Sequence, residues 1–259
     1  MEDNSINLNN NESKYVPQMG KGAPFAFGAK SSLKAIQDGY AGTAGFFAHE
    51  IISRLPNNKK YSLLDVGTSR GELLNELLVC LADYQFNTIG VDLDPVVLEE
   101  NKIAGKKIIA SATSLPFKDK SIDVLIARYI IQWNSPEEQK KILTEIRRVV
   151  NNFALIEHAG ASDKNPDKWR EMSNHLFSGV EIPKLKRVGH YFYSQSELEN
   201  IMKELGVNFE RINERRVDNY SDVFAVRYNL SKEEIQLTKE ILGDYDYFIQ
   251  TDWIIYPNK

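Results

Sequence analysis

The chain has 259 residues, 26% of them charged, with a net charge of −4 at pH 7 and a pI near 5.7. That length suits one α/β domain with additions, and the acidic balance argues against nucleic acid as a partner, since such binders carry a basic patch or domain. No run of about 18 apolar residues occurs, and no apolar stretch follows basic residues at the N-terminus, so neither a membrane-spanning helix nor a signal peptide is expected. The expected location is cytoplasmic, with no membrane partner. The single cysteine, Cys80, cannot form an internal disulfide and reads as a buried small hydrophobe on the first core helix. His49, His158, His175 and His190 show no metal-ligand spacing, so no metal site is expected.

Residues 1–22 read as a flexible tail, with asparagines at Asn4, Asn7, Asn9, Asn10 and Asn11. From Ser31 to Leu55 apolar residues recur at spacings of three and four, which predicts a helix ended by Pro56. Gly39, Gly42 and Gly45 lie inside it and suggest a break, or a close approach to another backbone or a ligand.

Tyr61–Val66 is a short apolar run that reads as a buried strand. A loop containing Gly67 and Gly71 follows, and then a helix from about Glu72 to Ala82 with Leu74, Leu77, Leu78 and Leu81 on one face. Thr88–Val91 forms the next strand, and Asp92 closes it, 25 residues after Gly67. Strand, glycine loop, helix and strand make a nucleotide-binding βαβ unit. An acid about 20 residues past the loop accepts the hydroxyls of a ribose. The loop lacks the third glycine of a dinucleotide fingerprint, and Glu72 in the first helical turn repels a pyrophosphate. A zwitterionic or cationic nucleoside ligand suits it better, and S-adenosylmethionine (SAM) has that chemistry.

Pro95 starts a helix reaching about Lys102, Lys107–Ala110 is a third strand, and Ile122–Ala127 is a fourth. Ser135 and Glu138 form a capping box around Pro136. The helix it starts buries Ile142, Leu143, Ile146, Val149 and Val150. Asn151-Asn152 then turns the chain into a fifth strand, Phe153–Glu157.

The motif Asp65-x-Gly67-x-x-x-Gly71, then Asp92, Ser114–Phe117 and Ser121–Val124 resembles the class I SAM-dependent methyltransferase family. It is most similar to the small-molecule branch that includes the ubiquinone- and biotin-biosynthesis methyltransferases. Ile131-Gln132-Trp133 resembles the Leu-Gln-Trp segment of that branch. The matching stretch runs from about Leu63 to Glu157.

The resemblance implies a Rossmann-like α/β fold with a seven-stranded, mostly parallel sheet, an antiparallel C-terminal hairpin, and helices on both faces. It implies SAM as cofactor, S-adenosylhomocysteine (SAH) as product, and a small-molecule acceptor methylated on N, O or C; the alternatives are a protein or RNA methyltransferase, or a non-catalytic SAM-binding protein. Residues 23–56 become a helical lid, and 57–259 the methyltransferase core, with a substrate-side insert at about 158–193. The cofactor residues carried over are Asp65, Gly67, Thr68, Ser69, Gly71, Asp92 and Leu93. To these are added Ser111, Ala112 and Thr113 beside the adenine, Arg128 at the end of strand four, and Tyr40 from the lid. Ser111 stands where family members often have an aspartate, so the amides of Ala112 and Thr113 are expected to share its work. Tyr129, Trp133, His175 and Tyr191 are the substrate-side candidates, and His158 the candidate catalytic base. The aromatics of the insert wall a pocket or form a small core of their own.

Ser194 and Glu197 make a second capping box, and Gly206 ends its helix. Strands are expected at about Phe209–Val217 and Val223–Tyr228. Ser231 and Glu234 cap a last helix that ends near Gly243. The aromatic tail from Asp244 onward docks on the insert or forms a dimer contact. The protein is expected to be a monomer or a homodimer.

Overall fold

The computed structural model describes residues 30–177, 181–182, 187–188, 191–218, 221 and 231–257. Its centre is a seven-stranded sheet with strands β1 (Lys60–Val66), β2 (Gln85–Asp92), β3 (Lys106–Ile109), β4 (Ile122–Arg128), β5 (Val150–Gly160), β8 (Asn208–Asp218) and β9 (Tyr247–Tyr256). The order across the sheet is β3-β2-β1-β4-β5-β9-β8. β3, β2, β1, β4 and β5 pair in parallel; β9 runs antiparallel to both its neighbours, β5 and β8. Two short strands, β6 (Glu181–Ile182) and β7 (Arg187–Val188), pair separately.

Alternating side chains along the parallel strands divide the core in two. On one face Leu63, Val124, Ile126, Phe153, Leu155 and Ile254 pack against helices α1 (Lys30–Ile52) and α2 (Glu72–Cys80). On the other, Leu64, Val66, Leu125, Ala154, Ile156 and Trp253 meet α4 (Pro136–Val149) and α6 (Gln195–Glu204). A fully buried Leu or Ile contributes about 1.5–3 kcal/mol, so these two layers hold the sheet. A third cluster sits beyond the carboxyl ends of β4 and β5. It joins Tyr129, Trp169, Met172, Phe192, Leu242 and Phe248, with Trp133 half-buried against it. Trp169 and Met172 reach it from α5 (Pro166–Phe177), and Leu242 from α7 (Lys232–Leu242).

All three expected capping boxes form, at Ser135–Glu138, Ser194–Glu197 and Ser231–Glu234. Ser135 Oγ accepts from Glu138 N–H, and Glu138 Oε2 accepts from Ser135 N–H at 3.1 Å. These contacts lie within one turn, which is why spacing alone reveals them.

Several expectations are corrected. α1 is one unbroken helix through Gly42 and Gly45, and a Cβ at either glycine would meet nothing within 4 Å. No close approach therefore explains these two glycines. Asn151 and Asn152 make no left-handed turn: α4 ends at Val149, β5 starts at Val150, and neither asparagine has a positive φ. Cys80 is exposed, because the buried stripe of α2 runs through Leu73, Leu74 and Leu77. The strand that partners β8 is β9, from the aromatic tail, inserted between β5 and β8. The expected strand Val223–Tyr228 lies outside the described residues. Among those residues no helix is long and apolar enough to cross a membrane.

Candidate functional site

The carboxyl ends of the parallel strands carry the loops that bind ligands in open α/β sheets. After β1 the chain turns through Gly67 (φ +76°), Ser69 (φ +49°) and Gly71 (φ +85°). Each lies in the left-handed region that glycine adopts without strain. A Cβ at Gly67 would stand 2.3 Å from Ile130 Cγ2, and one at Gly71 would stand 2.4 Å from Ile103 Cγ2. Conformation and space thus both demand glycine there. The loop is pinned to β2: Gly67 N–H and Thr68 N–H donate to Val91 O at 2.8 and 3.0 Å.

Asp92 joins the loop to the start of α3 (Pro95–Glu100). Its Oδ2 accepts Ser69 N–H at 2.9 Å, and its Oδ1 accepts Asp94 N–H at 3.0 Å. A carboxylate has about four lone-pair sites, so acceptor capacity remains for a ligand. Leu93, half-buried, follows it. Burial raises the Asp92 carboxyl, and the backbone N–H bonds from Asp94 and Ser69 oppose that shift.

Asp65, just below the loop, is 2% exposed, and its Oδ2 meets no donor among the described residues. Burial drives its carboxyl up to about 7; the Thr68 hydroxyl opposes this, while the charges of Asp92 and Glu72 add to it. Arg70 pairs with Glu100 at 2.7 Å. Asp65, Glu72 and Asp92 therefore make the loop a negative cradle. It suits a sulfonium or ammonium and repels a phosphate.

Asn101 went unmarked in the sequence. It is 3% exposed; its Nδ2 donates to Ser69 O at 2.8 Å, and its Oδ1 accepts from Ile103 N–H at 2.9 Å. It fixes the glycine loop from the end of α3. No local signal marks it, because its role rests on burial and on the carbonyl of Ser69, distant in the chain.

After β3, Ser111, Ala112 and Thr113 form a half-exposed turn. Ser111 Oγ accepts Thr113 N–H at 3.2 Å and lies 2.8 Å from Thr113 Oγ1. The serine therefore closes its own turn, and the Thr113 amide is engaged within the chain. Glu145 and Arg148 of α4 brace the following segment through Leu115 N–H (2.7 Å) and Phe117 O (2.7 Å).

At the end of β4, Arg128 Nε donates to Glu157 Oε1 at 2.8 Å, and its guanidinium lies over the Tyr129 ring. Tyr129 is 8% exposed, adopts φ +54°, and donates its hydroxyl to Gln250 Oε1 at 2.8 Å. A bulky residue at positive φ is strained and marks a constrained position.

Two other candidates, His158 and His175, do not join this edge. His158 is fully buried and stands on the opposite face of β5 from Glu157, beside the Tyr193 backbone and the Gln195 side of the core. Burial lowers its imidazole to about 4. The structure does not bring His158 to the Glu157 face of β5, and no base role is assigned to it. His175 is exposed near the end of α5 rather than turned into the aromatic cluster. Tyr191 packs edge-on against Tyr193 at 4.8 Å, next to the α4–α6 core, and its N–H donates to Gln132 O, beside Trp133, at 3.1 Å. The side chain of Tyr40 lies outside the described residues. The same residues contain no group of three His, Cys, Asp or Glu able to hold a metal.

Comparison with known proteins agrees with this geometry. Residues 64–154 match a family model described as a methyltransferase domain. The chain is 29% identical over 102 residues to an uncharacterized protein of Methanocaldococcus jannaschii, covering 39% of this chain and 41% of that one. It is 26% identical over 136 residues to malonyl-[acyl-carrier protein] O-methyltransferase 1 of Coxiella burnetii, covering 52% of this chain and 44% of that one. The chain thus spans about two-fifths of the length of these curated relatives. Among solved structures, the YcgJ protein of Bacillus subtilis superposes with a TM-score of 0.63 at 16% identity, covering 84% of this chain and 99% of that one. The geranyl diphosphate C-methyltransferase of Streptomyces coelicolor, solved with SAH, gives 0.56 at 10% identity, covering 83% and 76%. The [4+2]-cyclase SpnF gives 0.52 at 15% identity, covering 83% and 81%.

Proposed function

We propose that this protein, whose residues 64–154 match a family model described as a methyltransferase domain, transfers a methyl group from SAM to a small-molecule acceptor. SAM supplies an electrophilic methyl on a sulfonium. The chain's own residues do the rest by binding and orientation, and positioning alone supplies a large share of a transfer rate.

Asp92 takes the ribose hydroxyls with its remaining acceptor capacity. The glycine loop and Asp65 receive the aminoacyl end, whose ammonium suits the negative cradle. Ser111 and Ala112 border the adenine, and Arg128 and Tyr129 border the methyl side. No base is assigned. Two comparison proteins carry their acceptors in their names: geranyl diphosphate, a small molecule, and malonyl-[acyl-carrier protein], a malonyl group borne on a protein. The first supports a small acceptor.

The observation that carries this reading is Asp92. It stands at the end of β2, tied to the Ser69 amide of the glycine loop, with lone pairs to spare. Calorimetry with SAM and SAH tests it. Asp92→Ala should weaken both at least tenfold. A 2′-deoxy analogue of SAH should bind wild type more weakly than SAH does and lose little further in the variant, as a double-mutant cycle requires for a direct contact. Unchanged SAH affinity in Asp92→Ala would sink the ribose assignment. Metabolite extracts incubated with SAM should then yield products heavier by one methylene. SAM binding without any such product would favour a non-transferring role, a possibility the cyclase fold relative keeps in view.

A further inference from the structure

At the carboxyl edge of the sheet one row of side chains crosses four strands. Arg128, Glu157, Asp252 and Asn213 are register partners across β4, β5, β9 and β8. They share the α1 face, since Leu155 and Ile254, two residues from Glu157 and Asp252, belong to the α1–α2 core. Glu157 is 1% exposed and well supplied: Arg128 donates to Oε1, and Thr43 of α1 donates to Oε2 at 2.7 Å. Asp252 is 2% exposed and half supplied. Asn213 Nδ2 donates to its Oδ2 at 2.8 Å, while its Oδ1 has no donor among the described residues.

A second side chain, independent of the carboxylates, repeats the pattern. Gln250 is 3% exposed and lies on the same face of β9, about 7 Å along the strand. Its Oε1 accepts from Tyr129, and its Nε2 has no acceptor among the described residues. One buried donor and one buried acceptor thus lie side by side without partners. Nearly all buried polar groups in folded proteins have one. Tyr129, at the end of β4, reaches this pair through its hydrogen bond to Gln250. Asp252 stands three strands from Gly67, about 14 Å at ordinary strand spacing, which leaves β4 and β5 between it and the glycine loop.

We propose that Gln250 and Asp252 form a binding subsite for the methyl acceptor, recognising a carbonyl oxygen through Gln250 Nε2 and an adjacent O–H or N–H through Asp252 Oδ1. The ligand class is a hydroxy- or amino-carbonyl compound. The assignment of the pair to the acceptor rests on the methyltransferase reading. Charge supports the donor preference. Glu157 holds Arg128, whereas Asp252 has no ion pair within 4.0 Å among the described residues. Burial and the neighbouring Glu157 push its carboxyl up to about 6, against smaller opposing effects of Asn213, Arg215 and Arg128. A carboxylate or phosphate placed against Asp252 is repelled; a proton donor is not.

The full chain, saturated with SAH, is titrated with salicylamide and with 2-methoxy-N,N-dimethylbenzamide, which keeps the carbonyl but lacks every donor. Wild type should bind salicylamide at least fivefold tighter. Asp252→Asn and Gln250→Met should each reduce that preference below twofold, with SAH affinity within twofold of wild type. Asp252→Asn keeps the shape and removes a buried charge; Gln250→Met tests the other partner if the first variant melts early. No preference in wild type, or a preference surviving in either folded variant, overturns the proposal. If SAH itself fails to bind, the methyltransferase reading falls separately, and the same comparison on the free chain decides the subsite.

Discussion

Asp65 concentrates the electrostatics of the glycine loop. With its carboxyl raised to about 7, the folded state holds a proton that the unfolded chain releases near 3.8. The stability tied to that proton is full below about pH 4 and is lost as the pH rises through 7. Its size is about 4 kcal/mol at most. Asp65→Asn should therefore melt higher than wild type at pH 8, and this advantage should shrink towards pH 5 in paired thermal scans. A bound ammonium reverses the preference by favouring the ionised carboxylate. SAM affinity should rise between pH 6 and pH 8 in wild type and stay flatter in Asp65→Asn. Equal slopes in calorimetry would remove Asp65 from the cofactor's cationic end.

At the scale of the element, α1 is under-built for its length. Gly42 and Gly45 are exposed and face open space, so a methyl group at either is free of clashes. Each glycine in a helix interior is less favourable than alanine by about 1 kcal/mol. Gly42→Ala and Gly45→Ala should each raise the melting temperature, with slower amide exchange through α1. A fall in stability would show that the helix needs its glycines for something beyond packing. Between the two glycines, Thr43 bonds Glu157. α1 is thus tied to the ligand edge by a side-chain contact flanked by weak helix formers, and an element so built opens locally more readily than the sheet beneath it.

For the molecule as a whole, β9 decides whether the sheet closes. It pairs with β5 on one side and β8 on the other, and it contributes Trp253, Ile254 and Ile255, all buried, to both core layers. Removing residues 244–259 would expose the edge of β5 and leave β8 unpaired. That truncated chain should lose its cooperative thermal transition and aggregate, since a long apolar edge strand recruits other chains. A truncated chain that melts cooperatively near the wild-type temperature would contradict this view of the sheet. The row Arg128–Glu157–Asp252–Asn213 depends on the same insertion, because two of its members meet only when β9 slots in.

What the amino-acid order determines here is local. The β1 loop with its glycines, Asp92 at the end of β2, and three capping boxes are set by spacing within one turn or one βαβ unit, so they could be read without coordinates. The tertiary structure decided what depends on distant partners. An antiparallel strand drawn from residues 247–256 into the middle of the sheet has no local signature, because its pairing with β5 closes over almost a hundred residues of intervening chain. The side of β5 on which a residue falls flips with each position, so His158 went to the core and Glu157 to the ligand edge. Asn101 became a brace for the loop, and Asp252 and Gln250 became a buried donor–acceptor pair, only through register and burial. The candidate cofactor site was legible because it is built from one contiguous unit. The proposed acceptor side was not, because it draws on β4, β5 and β9, whose residues meet only in the folded chain.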